Sequence, residues 1–225
     1  MTSAEYAKAA LWLVLMGVLL FVPAGTIRWL NGWIFLAEFL LGAILTTTWL
    51  ARHDPGLFKE RMGGVVQRGQ APADKIFMAV LLVTWHGWLI LMALDAGRWR
   101  LSHVPPALNA VGGLLIAIGF FLIWLVFREN SFAAPVVKIQ EERGQHVVST
   151  GPYRFVRHPM YVGGLIYMLG MPLLLGSWLG LVALPLIAGA LLTRISIEEA
   201  TLKKELPGYV DYTNRVRYRL IPGVW

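Results

Sequence analysis

Residues 151–200 read GPYRFVRHPMYVGGLIYMLGMPLLLGSWLGLVALPLIAGALLTRISIEEA, and this stretch decides the fold. It opens on a short segment crowded with cations and aromatics: Tyr153, Arg154, Phe155, Arg157, His158 and Tyr161. Pro152 and Pro159 fix φ and turn the residues before them away from helix. The segment is therefore expected to form a rigid, non-helical strap. A helix should begin near Pro159, since proline suits a first turn. A helix start presents unpaired backbone N–H groups that favour anions. Two apolar runs follow, 160–175 and 178–197, separated only by Gly176 and Ser177. They read as a tight helical hairpin that either crosses a bilayer twice or stops short of the far face.

Four more apolar runs precede the strap, at residues 7–24, 32–51, 76–95 and 107–127. A membrane-spanning helix needs about 20 apolar residues. The second to fourth runs meet that length, the first is adequate and the fifth is short. The sixth carries Arg194 near its end. Of the 225 residues 57% are hydrophobic and 15% charged, against about 25% charged in soluble domains. Mean hydropathy is +0.61. The expected fold class is all-α: a polytopic integral membrane protein with about six membrane-embedded helices, its partner the lipid bilayer. The chain has no cysteine, which removes disulfides, thiol catalysis and Cys-based metal sites. No metal is expected. The net charge of +7 reads as membrane topology, so no nucleic-acid partner is expected either.

The basic residues carry that topology. If all six runs cross, one face holds Lys8, the cluster from Arg52 to Lys75, the group from Arg128 to Arg157, and the tail from Arg194 to Arg219. The other face holds Arg28, Arg98 and Arg100. Seventeen of the twenty Lys and Arg residues fall on one side. The positive-inside rule places that side, with both termini and the strap, in the cytoplasm. Residues 1–127 then form a four-helix membrane region. Residues 128–225 form a second region of cytoplasmic loop, hairpin and cytoplasmic tail.

Glu38 and His86 lie inside apolar runs, where an ionisable group is a functional candidate by default. A neutral His86 bonded to a neighbouring helix is the commoner outcome. Gly112, Gly113, Gly119, Gly176 and Gly180 fit close helix packing. Trp29, Trp33, Trp99, Trp178 and Trp225 fit interfacial belts. Between Arg128 and Thr150, Val136–Val137 and Val147–Val148 flank a turn at Gly144 and read as a small hairpin. The tail continues the sixth helix to Leu206, breaks at Pro207–Gly208, resumes as a short amphipathic turn and closes on YRLIPGVW, expected to fold back.

Motifs of serine hydrolases, P-loops, zinc proteases and dinucleotide folds are absent. What remains is a cluster of His146 to Ser149, Tyr153, residues 157–161, and Arg194 with Glu198. The last two are four residues apart and share one helix face. The plain reading of that pair is a surface ion pair of little energetic weight.

GPYRFVRHPMYVGG, the apolar hairpin, RISIEEATLKKELPGYVDY and the closing VRYRLIP together resemble the isoprenylcysteine carboxyl methyltransferase and phospholipid methyltransferase superfamily. The resemblance covers residues 140–225, and the first four runs carry no recognised signature. It implies a polytopic enzyme with a cytoplasmic pocket for S-adenosylmethionine and a lipid-like or apolar methyl acceptor arriving from the bilayer. It assigns the cofactor to Gln140, His146, Val147, Val148, Ser149, Tyr153, His158, Pro159, Met160, Tyr161 and Glu198. It sets Arg194 against the acceptor, as a substrate-binding and catalytic group beside Glu198, and Glu199 completes the paired acids. In the prenylcysteine enzymes further acids follow this arginine, whereas here Ile195, Ser196 and Ile197 intervene, which leaves carboxylate, amine and thiol acceptors open.

The chemistry of S-adenosylmethionine suits such residues. A helix start with His158 can hold a carboxylate, Glu198 can take a ribose diol or ammonium, and tyrosine faces attract a sulfonium. Membrane sterol reductases, which use a dinucleotide phosphate, share an RHPxY-like segment and a similar closing tail. Theirs usually has Asn after the proline, and Met160 stands here. A non-catalytic membrane protein with a degenerate site is the third reading, and the intact His158, Tyr161, Arg194 and Glu198 argue against it.

Overall fold

The computed structural model describes residues 3–225, with side chains from residue 11 onward. Met1 and the Lys8 side chain, both used in the topology argument, lie outside the described residues. The elements are α1 (Ser3–Ala24), α2 (Leu30–His53), α3 (Pro55–Met62), α4 (Pro72–Ala93, continued by a π-helical turn, Leu94–Trp99), α5 (Pro106–Glu129), α6 (Pro159–Leu175), α7 (Trp178–Glu205) and α8 (Tyr209–Arg215). Short 3₁₀ turns stand at Glu141–Arg143 and Gly151–Arg154. All six apolar runs are helical, and no strand occurs among the described residues. The protein is an all-helical polytopic membrane protein.

The sequence explains where helices start and stop. Proline opens α3, α4, α5 and α6, where its missing N–H has no intrahelical partner to lose. The hairpin turn is built from Gly176, left-handed at φ 84°, and from Ser177, whose hydroxyl accepts the Gly180 N–H at 2.9 Å. That pairing is a helix C-cap followed at once by an N-cap. Asp95, fully buried in the π-helical turn, anchors the hairpin from outside. It accepts Ser177 Oγ and Ser102 Oγ at 2.6 Å each and the Leu179 N–H at 3.2 Å.

Helices α2, α4 with its π turn, α5 and α7 are each long and apolar enough to cross a membrane. The apolar part of α1 and all of α6 are shorter. The 17 residues of α6 span about 25 Å at ~1.5 Å per residue, less than a ~30 Å hydrocarbon core.

The tightest packing in the bundle is antiparallel α5 on α6. A Cβ on Gly112 would lie 2.3 Å from the Leu174 nitrogen, and one on Gly170 would lie 2.5 Å from the Gly112 oxygen. Seven residues along, Gly119 and Gly163 meet in the same way. Two glycines per helix, one heptad apart, let the backbones touch, as small residues do in membrane bundles. Gly112 and Gly119 were legible as packing glycines; Gly163 and Gly170, their partners, were not. The main apolar core draws Leu20, Phe35, Leu89, Met92, Ile116, Met171 and Leu175 from all six long helices except α7, which adds Ile187.

Two local expectations need correction. The valine-flanked loop is not a hairpin: Val136 and Val137 are buried, and the Val137 N–H goes to Asp74 Oδ2 at 2.8 Å instead of to a facing strand. Among the described residues, His86 makes no hydrogen bond to a neighbouring helix. Its Nδ1 faces its own helix at the Leu82 carbonyl, and its ring stacks on Trp12.

Candidate active site

The strap is held by the tail. The Arg157 and His158 N–H groups donate to the Tyr218 and Arg219 carbonyls at 2.9 and 3.0 Å. The Arg157 side chain is buried and reaches the Val216 and Arg217 carbonyls. Both meet Glu199 of α7, which is 3% exposed. Glu199 accepts from Arg157 Nε at 2.6 Å and Arg219 Nε at 3.0 Å, and lies 3.1 Å from His158 Nε2. A carboxylate this deep is tenable only because cations and donors surround it. Glu199 is therefore a clamp joining α7, strap and tail.

Glu198 has the opposite environment. One residue back along the helix, roughly 100° around its axis, it points into an open cleft. There it accepts the Tyr161 hydroxyl at 2.7 Å, and His158 Nδ1 stands 3.9 Å away. The cleft is walled by Phe132, Val136, Val137, His146, Val147 and Val148 from the loop, Tyr153 from the strap, and residues 158–161 from the start of α6. Arg194, Glu198, Thr201 and Leu202 of α7 and Tyr209 and Tyr212 of α8 close it.

Most of the residues expected at a site are thus brought together: His146, Val147, Val148, Tyr153, His158, Pro159, Met160, Tyr161, Arg194 and Glu198. Gln140 and Ser149 are not among the lining residues. Gln140 is fully buried behind the wall, where it donates to the Phe132 carbonyl and accepts from Arg143 Nη1. Its role there is to brace the loop.

Arg194 lines the cleft beside Glu198, but the two do not pair. The acid partner of Arg194 is Asp74, 120 residues earlier, at 2.9 Å from Nε. Nη2 donates to the Pro135 carbonyl at 2.6 Å. Asp74 is fully buried and also accepts Gln70 Nε2 and the Val137 N–H at 2.8 Å each. Phe77 and Tyr161 put ring faces 5.8 and 5.9 Å from the guanidinium carbon. Nearby, Arg61 of α3 donates to the Ala133 carbonyl and lies 4.4 Å over Phe127. Burial, with the Arg194 charge adding to it, lowers its pKa to about 10.

Sequence reasoning missed Asp74, Asn130, Tyr209 and Tyr212. Asn130 Nδ2 donates to Tyr153 Oη at 2.8 Å, and Tyr212 Oη donates to the Tyr153 carbonyl at 2.7 Å. The signal for the tyrosines was present: Tyr209 and Tyr212 are three apart, on one face of a short helix. Nothing near Asp74 in the sequence announces Arg194.

Tyr209 is the clearest sign that something polar belongs in the cleft. Its hydroxyl is buried with no hydrogen-bond partner among the described residues. Burial, then the Glu199 and Glu198 charges, raise its pKa, so the phenol stays neutral and offers both donor and acceptor. With Glu198, His158, the tyrosine faces and the valine wall, this donor set fits an amphoteric ligand having cationic, polar and flat apolar parts.

Residues 108–207, just under half of the chain, match the profile of a family described as phospholipid methyltransferase. No curated protein matches the chain. The match begins in α5, earlier than the resemblance read from motifs, and takes in a helix that carried no recognised signature. The helix it takes in is the one that packs on α6 along the glycine seam. The stretch that builds most of the cleft is therefore similar to the phospholipid methyltransferases, membrane methyltransferases in one superfamily with the isoprenylcysteine carboxyl methyltransferases.

Proposed function

We propose that the protein transfers a methyl group from S-adenosylmethionine to a membrane-borne or apolar acceptor, most like an isoprenylcysteine carboxyl O-methyltransferase. The observation that carries this is the cleft itself: one solvent-reachable acid, Glu198, beside His158, tyrosine faces and the unpartnered Tyr209 hydroxyl. When bound, S-adenosylmethionine supplies an electrophilic methyl on a sulfonium.

The chain supplies positioning. Glu198 holds a diol or ammonium, His158 Nδ1 and the first turn of α6 face a carboxylate, and Tyr153, Tyr161 and Tyr209 attract positive charge by their faces and oxygens. Val147, Val148, Leu202 and Leu206 exclude water. Arg194, with Nε and Nη2 held, keeps Nη1 for an anionic acceptor. A carboxylate acceptor needs no base, so alignment and desolvation suffice. An amine or thiol acceptor must lose a proton, and Glu198 is the acid lining the cleft that can take it. The 17-to-3 split of basic residues supports a cytoplasmic cleft with both termini on that face. On this reading residues 128–225 carry the cofactor pocket, and residues 1–127 form the membrane region beside it.

The test is equilibrium binding of labelled S-adenosylmethionine and of NADPH to the purified protein. Saturable S-adenosylmethionine binding that weakens in Glu198→Gln is expected. NADPH binding without S-adenosylmethionine binding would transfer the protein to the reductase reading. Binding of neither would leave the degenerate site.

A further inference from the structure

Glu38 lies in α2, eight residues beyond its start at Leu30, about 12 Å along the helix at ~1.5 Å per residue. Its Oε2 is buried and has no hydrogen-bond partner among the described residues. The Tyr167 hydroxyl of α6 is in the same condition. The Tyr167 ring meets Phe120 edge-on at 5.3 Å, and Phe120 and Glu38 line the same cavity. Neither oxygen takes part in the cytoplasmic cleft. A carboxyl group within the membrane and without a partner is costly, and it needs room: a Cβ on Gly113 of α5 would lie 2.8 Å from Glu38 Oε1.

Glu38 stands where two cavities meet. One, about 420 Å³, runs between α2 and α5 past Leu41, Leu45, Phe121 and Trp124. It is apolar; the one hydroxyl on its wall, Thr46, is spent on the Gly42 carbonyl of its own helix. The other, about 300 Å³, leads from Glu38 toward the opposite ends of both helices past Asn31 and Asn109. The junction thus has a mouth with two asparagines, one of them, Asn109, donating to the Leu173 carbonyl, an acid at the turn and an apolar slot beyond. Both volumes are of the order of small-molecule sites, ~300–1,000 Å³. No lysine or arginine lines either cavity among the described residues.

We propose that this junction binds a single-chain amphiphile with an amine head, its ammonium on Glu38 and its tail in the slot between α2 and α5. Charge complementarity selects the head. A carboxylate only accepts, an ammonium brings three donors and the missing positive charge, and no lysine or arginine on either wall competes. The slot selects one chain, because Gly42 already packs on Phe120, where a Cβ would lie 2.7 Å from the ring. The helices cannot part without losing that contact.

The probe is dodecylamine carrying a photoreactive diazirine in its chain, applied to the full-length protein in phosphatidylcholine nanodiscs. The matching dodecyl methyl ether is the control. Saturable labelling of α2 and α5 peptides by the amine, at least tenfold above the ether, is expected. Glu38→Gln should reduce amine labelling about tenfold, a loss of ~1.4 kcal/mol. Ala117→Trp, which fills the slot and leaves Glu38 in place, should abolish it. Equal labelling by amine and ether would show a slot filled by bulk lipid and overturn the proposal. Unchanged labelling in folded Glu38→Gln, or in folded Ala117→Trp, would overturn it too, as would the absence of saturable labelling in wild type. No S-adenosylmethionine is present, so these outcomes leave the methyl-transfer reading untouched.

Discussion

The two sides of the cleft are built on buried acids used in opposite ways. Glu199 collects two guanidinium groups and the His158 imidazole, all from the strap and tail near it in space. Asp74 has one cation, Arg194, and leaves that cation facing the cleft. The first arrangement ties strap and tail to α7 through several side chains. The second holds a charge by two of its nitrogens and presents the third. A buried ion pair is thus not one kind of object, and what separates these two is whether the acid gathers several side chains from strap and tail or holds a single cation.

The comparison can be broken at Glu199 first. Glu199→Ala leaves Arg157 buried without an acid, and breaking a buried pair in this way costs about 3–5 kcal/mol. A large drop in the thermal midpoint in detergent is expected, with cofactor binding lost as the strap detaches. A midpoint within a degree of wild type would show that the clamp is not structural.

Next is the seam that both sides stand on. Gly119→Ala forces a Cβ against Tyr167 and the Gly163 oxygen and should cost about 1–3 kcal/mol. Gly164→Ala, with nothing within 4 Å, should be neutral or slightly stabilising. Paired unfolding curves check this, and equal midpoints would remove the glycine argument.

Asp74→Asn tests the other side. It keeps the shape and the bond from Gln70 but removes the charge that orients Arg194. S-adenosylmethionine affinity should stay within about twofold, while methyl transfer falls at least tenfold, ~1.4 kcal/mol in the barrier. A defect confined to cofactor affinity would reverse the roles given to the two sides. Arg194→Lys should fail similarly, since an ammonium cannot serve Asp74, Pro135 and an acceptor in one plane. The smallest stability effect is expected from Glu198→Gln: little change in the unfolding midpoint, but cofactor affinity weaker by about tenfold, ~1.4 kcal/mol. Calorimetry on the folded variant decides it, and unchanged affinity would remove Glu198 from the cofactor site.

Several features were readable along the chain because their causes are local. Pro159 opens α6 and Gly176–Ser177 turns the hairpin, as proline, glycine and serine dictate wherever they stand. The six helices follow from uninterrupted apolar length. The positions around His158 and Glu198 were legible through the resemblance of their motifs, whereas spacing alone gave Arg194 and Glu198 only as a surface pair. That Gln140 is buried behind the cleft wall was not legible, because a buried glutamine and a pocket glutamine look alike until their hydrogen bonds are known.

By itself, then, the sequence determined the membrane helices and their ends, since hydropathy and backbone propensity act over a few neighbours. Only the tertiary structure decided partners. Glu198 and Glu199 are adjacent letters with the same side chain, and helix rotation sends one into the cleft and the other into the clamp. Arg194 takes its acid from 120 residues away and not from the glutamate one turn on. Gly112 and Gly119 find Gly170 and Gly163 across a helix pair. Pairing of this kind depends on which surfaces the bundle brings within about 3 Å, and no short window of sequence contains both members.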